Sequence, residues 1–117
     1  MAQDPQTHLP LKPADFVLLL ILSEGEAHGY GLVREIDART DGAIRLEPGN
    51  LYRVIRRLVD DGLVAETERR PAPDLDDERR RYYRLTPLGA RVARLEAQRL
   101  RRLLARPEVR TLAGESA

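Results

Sequence analysis

Apolar positions along the chain fall into helical stripes, interrupted by one stretch that alternates. From Leu51 to Val59 the period is 3.6 residues: Leu51, Val54, Ile55, Leu58 and Val59 gather on one side of a helix. Arg53, Arg56, Arg57 and Asp60 fall on the other side, with Tyr52 on the border. Pro48 stands where a first-turn proline belongs, and Gly62 stops the helix. Upstream, Phe16 to Leu22 is apolar almost all round, which predicts a helix from Pro13 buried on more than one side, ended by Ser23-Glu24-Gly25. Lys12 is a poor cap for it, and Asp15 in its first turn suits the helix dipole. A second helix is predicted from about His28 to Thr40, with Leu32, Val33 and Ile36 inward. Gly29 and Gly31 in its first turn weaken it by on the order of 1 kcal/mol each, so a close approach by another backbone or a phosphate is expected there.

After Gly62 the period changes. Leu63 to Arg69 and Arg79 to Leu85 alternate well enough for an antiparallel pair, with Tyr83 and Leu85 on one face and Tyr82 and Arg84 on the other. The loop between them, residues 71–78, is acidic and punctuated by proline, and mobility is expected of it. Thr86-Pro87 then starts a helix to about Ala105, roughly 30 Å long at ~1.5 Å per residue. It carries two apolar stripes: Leu88, Val92 and Leu95, and Ala93, Ala97, Leu100 and Leu104. One stripe docks such a helix on its own domain; the second needs another surface, and a copy of the same helix is the simplest supplier.

Three helices followed by a hairpin give an α+β, mostly α fold, a winged helix-turn-helix with a long C-terminal dimerisation helix. The expected organisation is a flexible arm over residues 1–10, a DNA-binding domain over 11–85, the dimerisation helix over 86–105 and a tail over 106–117.

Composition narrows the function. The 117 residues allow one modest core, and the absence of cysteine removes disulfides and thiolate metal sites. The run from Phe16 to Leu22 is too short to span a bilayer and lacks the flanks of a signal peptide, so a soluble chain in the cytoplasm is expected. Net charge is only +1, but it is unevenly spread. Residues 1–47 hold eight acids and four bases, and residues 60–78 hold eight acids and two arginines. Residues 48–59 hold three arginines and no acid, and residues 79–117 hold eleven arginines and three acids. Positive charge thus sits on the third helix and the C-terminal third, as for a surface that meets a polyanion. Guanidinium groups on one core-anchored helix suit guanine edges and phosphates in the DNA major groove.

Catalysis finds little support. His8 and His28 are the only histidines, and His28 reads as a packed or capping residue at a helix start. No metalloprotease, P-loop or dinucleotide motif occurs, and Asp76-Asp77-Glu78 reads as a solvated cluster rather than a metal site. Neither a cofactor nor a metal is expected. Tyr82 and Tyr83 read as strand packing. A protein-docking winged helix, with Arg53, Arg56 and Arg57 facing an acidic partner and no sequence-specific DNA binding, is the alternative.

Leu22 to Tyr30 (Leu-Ser-Glu-Gly-Glu-Ala-His-Gly-Tyr), Pro48-Gly-Asn-Leu-Tyr-Arg53, Leu58 to Leu63 and Arg80-Arg-Tyr-Tyr-Arg-Leu-Thr-Pro-Leu-Gly89 together resemble the PadR family of transcriptional regulators, in its order and spacing. The resemblance implies a homodimeric repressor on inverted-repeat DNA, released in many members by a small, often aromatic, effector near the dimer interface. Carried onto matching positions, it places Asn50, Tyr52 and Arg53 against DNA. Arg56 follows as a phosphate contact, Arg57 as a weaker one, and Arg79, Arg80 and Arg81 lie beside an adjacent phosphate or the minor groove. The expected dimer seam is Leu88, Val92, Leu95, Leu100 and Leu104. With no tryptophan in the chain, Phe16 and Tyr30 are the candidates to stack an effector. The acidic loop departs from a phosphate-binding wing, and the lone fourth helix matches the family's short members.

Overall fold

Four prolines open four of the helices, each at a position where the missing amide has no partner to lose. In the computed structural model, which describes residues 4–67 and 81–115, the order is α1 (Pro13–Leu22), β1 (Ala27–His28), α2 (Gly29–Arg39), α3 (Pro48–Asp60), β2 (Val64–Glu66), β3 (Tyr82–Leu85), α4 (Pro87–Leu104) and α5 (Pro107–Leu112). Side chains cap two of the helices: His28 Nδ1 accepts the Gly31 amide at 3.0 Å, and Thr86 Oγ1 accepts the Gly89 amide at 3.0 Å. Lys12, at the α1 cap position, makes no such bond.

The core lies among α1, α2, α3 and the first half of α4. Leu18, Leu19, Leu32, Ile36, Leu51 and Val92 are fully buried there. Each such side chain stabilises the fold by roughly 1.5–3 kcal/mol relative to exposure. The inward residues of α3 are Leu51, Ile55 and Leu58, while Val54 is half-buried and Val59 exposed. The segment that follows α3 is pinned to the start of α4 by a close backbone approach. A Cβ on Gly89 would stand 2.0 Å from the Leu63 carbonyl oxygen, so only glycine fits. Thr86 reinforces the junction by donating its hydroxyl to the Gly62 carbonyl at 2.6 Å.

The hairpin pairs Val64 with Leu85, Ala65 with Arg84 and Glu66 with Tyr83. Tyr83 is buried, Leu85 half-buried and Arg84 exposed, which is the expected alternation. A third strand was not legible in the sequence: β1 adds to the other edge of β3, giving the order β1-β3-β2. Two residues before a helix start carry no periodicity, so only the pairing with Tyr82 and Tyr83 reveals it.

Pro5–His8 and Pro107–Leu112 take up helical turns outside the expected elements. Pro5–His8 forms a 3-10 turn against α4, started by Asp4, whose Oδ1 accepts the Gln6 amide at 2.9 Å. Leu9 and Leu11 pack on the core, within and just after the stretch 1–10 where a flexible arm was expected. Beyond α4, Pro107–Leu112 is helical where a tail was expected. The acidic loop, Arg79 and Arg80 lie outside the described residues.

Candidate nucleic-acid interface

The outer face of α3 starts at Asn50, exposed in the first turn, and continues through Arg53 and Arg56, both exposed. Neither arginine is held in an ion pair by another described residue. Because Leu51, Ile55 and Leu58 are anchored inside, the two guanidinium groups are presented on a fixed ridge with freely placed donors.

Tyr52 has a different setting. It is half-buried, and its ring fills the space beside Gly29: a Cβ there would lie 2.7 Å from Tyr52 Cε1 and Oη. A Cβ on Gly31 would lie 3.1 Å from His28 Cε1. The two glycines therefore accommodate side chains, where the sequence suggested a backbone or a phosphate. His28 also meets the Tyr82 ring edge-on, with centroids 5.7 Å apart and planes at 81°. Its role is to join the start of α2 to the sheet.

Arg57 is turned inward to α1. Its two Nη groups donate to Asp15 Oδ1 and Oδ2 at 2.9 Å each, a bidentate pair with Asp15 buried. The bond to Asp15 holds the Arg57 guanidinium still further into its charged form, against the opposing effect of burial. This corrects the expected weak phosphate contact: the fork of Arg57 is already occupied by a carboxylate. Asp15 is correspondingly a core anchor as well as a first-turn acid. The signal was present in its spacing, since Asp15, Leu18, Leu19 and Leu22 share the inward stripe of α1.

A cleft of about 310 Å³ separates α3 from the hairpin, with Arg56 and Arg81 among its lining residues, and Asp60 and Glu66 also in it. Arg81 is half-buried, and its Nε lies 3.6 Å from Glu66 Oε1. Arg81 is thus the described basic residue of the hairpin nearest the α3 ridge, partly compensated by Glu66.

On α4 the two stripes separate as required, but not with the expected membership. Val92 is fully buried and Leu88 packs against the core, so these two dock α4 on its own domain. A side chain with no exposed surface has nothing to offer a second copy, which corrects Val92 as a seam residue. Leu95 and Leu100 are half-buried, Leu103 is 45% and Leu104 60% exposed; Leu103 was missed. Glu96 was missed too. It lies one turn beyond Val92 on the inward stripe and is 1% exposed. Its Oε2 accepts the Leu11 amide at 2.7 Å, and both its oxygens receive Arg99. The Arg99 bond and, secondarily, the Leu11 amide hold its carboxyl below the usual range, against the effect of burial.

A cavity of about 670 Å³ opens between α1, the hairpin and α4, lined by Phe16, Leu20, Ala93, Ala97, Arg84 and Arg94 among others. Phe16 is its one aromatic among the described residues. Tyr30 is not part of it and stands 52% exposed at the start of α2, so of the two candidates for stacking an effector Phe16 lines this cavity and Tyr30 does not. Among the described residues no group of three or more acids or histidines is placed to hold a metal, and no helix is long and apolar enough to cross a membrane.

Three helices, a hairpin and an arginine ridge define a winged-helix, DNA-binding regulator. The family described as "Transcriptional regulator PadR-like family" matches residues 18–95, and the chain belongs to it. A transcriptional regulator of Mycobacterium tuberculosis is 36% identical over 94 residues, covering 80% of this chain and 78% of that protein. A transcriptional regulator from Clostridium thermocellum has a TM-score of 0.64 at 26% identity, over 77% of this chain and 82% of that one. A PadR-like regulator from Bacillus cereus has a TM-score of 0.68 at 20% identity, over 87% and 92%, a likeness of fold. The family and these relatives are regulators of transcription, not enzymes.

Proposed function

We propose that this regulator is a cytoplasmic homodimeric repressor of an inverted-repeat operator, covering its promoter when bound. Asn50, Arg53 and Arg56 enter the major groove, and the exposed part of Tyr52 closes on the neighbouring backbone. Arg81, with Arg79 and Arg80 outside the described residues, lies along an adjacent phosphate. The observation that carries this reading is the exposure of Arg53 and Arg56 on a helix whose other side is locked in the core. Residues 11–85 are the DNA-binding unit. Residues 86–105 are the dimerisation helix, offering Leu95, Leu100, Leu103 and Leu104 to a second copy. Two groove helices then stand about 34 Å apart, matching half-sites one turn apart.

A small aromatic effector fits the cavity beside Phe16, whose rim carries both signs of charge, Glu24 and Glu26 with Arg84 and Arg94. Because α4 lines the cavity, occupation changes how the two copies pack and so weakens DNA binding.

Selection of bound sites from random duplex DNA, with purified protein at stated salt, tests the activity and the symmetry together. A palindromic consensus is the expected result. Enrichment of no sequence, or of a single half-site, overturns the dimeric operator, and the former favours the protein-docking alternative.

A further inference from the structure

Two buried carboxylates with no part in DNA contact stand at opposite ends of one short segment. At one end Glu96, on α4 and 1% exposed, accepts the Leu11 amide at 2.7 Å. At the other, Asp15, 4% exposed, receives both Nη groups of Arg57 from α3 at 2.9 Å. Between them Leu11 packs on the core and Pro13, with its fixed φ, opens α1. Hydrophobic residues of similar volume commonly replace buried ion pairs without loss of stability, so core formation alone does not call for charge at either place. What charge supplies is direction. A bidentate guanidinium–carboxylate pair fixes the separation and the plane of both groups, and a carboxylate on a backbone amide fixes the chain that carries it.

We propose that the segment Leu11–Asp15 is a tie that sets the position of α3 against α4, with Glu96 and Asp15 as positioning residues for the DNA-reading ridge. The inference rests on the reading of α3 as the groove helix and α4 as the dimer helix. A movement of α4 pulls the Leu11 amide through Glu96 and shifts the first turn of α1. Arg57 follows Asp15. Since Arg57 lies one turn beyond Arg53 on neighbouring faces of α3, the turn bearing Arg53 and Arg56 is reoriented. Repacking of α4 is thereby transmitted within one subunit, in addition to any change in the distance between subunits.

The test uses the duplex selected by the wild-type chain, at fixed salt. Glu96→Leu and Asp15→Asn are each expected to weaken binding about tenfold. Glu96→Leu added to Asp15→Asn should weaken it no further, because the tie is already cut. Glu96→Gln, which still accepts the Leu11 amide, should bind as the wild type does. Arg57→Lys keeps the charge but loses the fork, and it should match the Asp15→Asn loss. Equal losses from Glu96→Leu in both backgrounds, or wild-type binding by Arg57→Lys, overturn the tie.

A second readout needs no DNA and no double variant. The guanidinium nitrogen signals of Arg57 in NMR should shift in Glu96→Leu and stay in place in Glu96→Gln. Unchanged signals in both overturn the proposal. Arg56→Ala separates the two readings: if it binds DNA undiminished, α3 is not the groove helix, while the Arg57 signals still decide the tie.

Discussion

The ring of Tyr52 occupies the space that a side chain at Gly29 would need, with Cε1 and Oη both 2.7 Å from where a Cβ would stand. The first turn of α2 and the second turn of α3 are thereby packed through one glycine and one tyrosine. Gly29→Ala should destabilise the protein by about 1–3 kcal/mol, the cost of overpacking a filled site. The same change made on Tyr52→Ala should cost almost nothing, because the clash is gone. Urea unfolding of the two single variants and the double variant measures the coupling. Additive effects would mean that the ring and the glycine do not constrain each other.

Acid should weaken the fold partly through Glu96. Its carboxyl is held below its ordinary value of 4.5, first by Arg99. A depressed folded value contributes stability that is complete above the unfolded value and is lost as pH falls through the folded one. Melting temperature should therefore fall below about pH 4.5, and Glu96→Gln should flatten that part of the decline. Glu24 and Glu108, lowered by their bonds to Arg39 and Arg106, act in the same direction, but solvent screens both, and their share is small. An acid limb identical in Glu96→Gln and the wild type would remove Glu96 from the account.

The two stripes of α4 should fail differently. Leu104→Glu places a charge on a side chain that is 60% exposed, so the subunit should stay folded and sediment as a monomer. Val92→Glu places one where nothing is exposed, and should lower stability by several kcal/mol, as an unpaired buried charge does. A folded dimer of Leu104→Glu would put the seam elsewhere.

Periodicity located the helices because the single apolar stripe of α3 and the two of α4 stand against charged faces, and first-turn prolines marked where they begin. The exposed ridge of Asn50, Arg53 and Arg56 was legible for the same reason. Arg57 was not, since its spacing alone puts it with the other arginines, and only the tertiary approach of α1 supplies Asp15 as its partner. Glu96 and Val92 share a related difficulty. A charged residue on an inward stripe reads as an interruption until the Leu11 amide, 85 residues away, is seen to meet it. Gly29 advertised a close approach in the sequence, but not that a tyrosine from the next helix would make it.

The most direct test of the central claim is the affinity of the purified chain for its selected duplex as salt is varied, alongside the Arg53→Ala and Arg56→Ala variants. Log affinity should fall linearly with log salt, by about 0.9 for each phosphate neutralised, and Arg56→Ala should make that slope shallower by about one such contact. Arg53→Ala should instead relax preference at one base pair, a loss of roughly 1–3 kcal/mol for the correct base. Slopes and base preferences unchanged in both variants would mean that the α3 ridge does not read DNA.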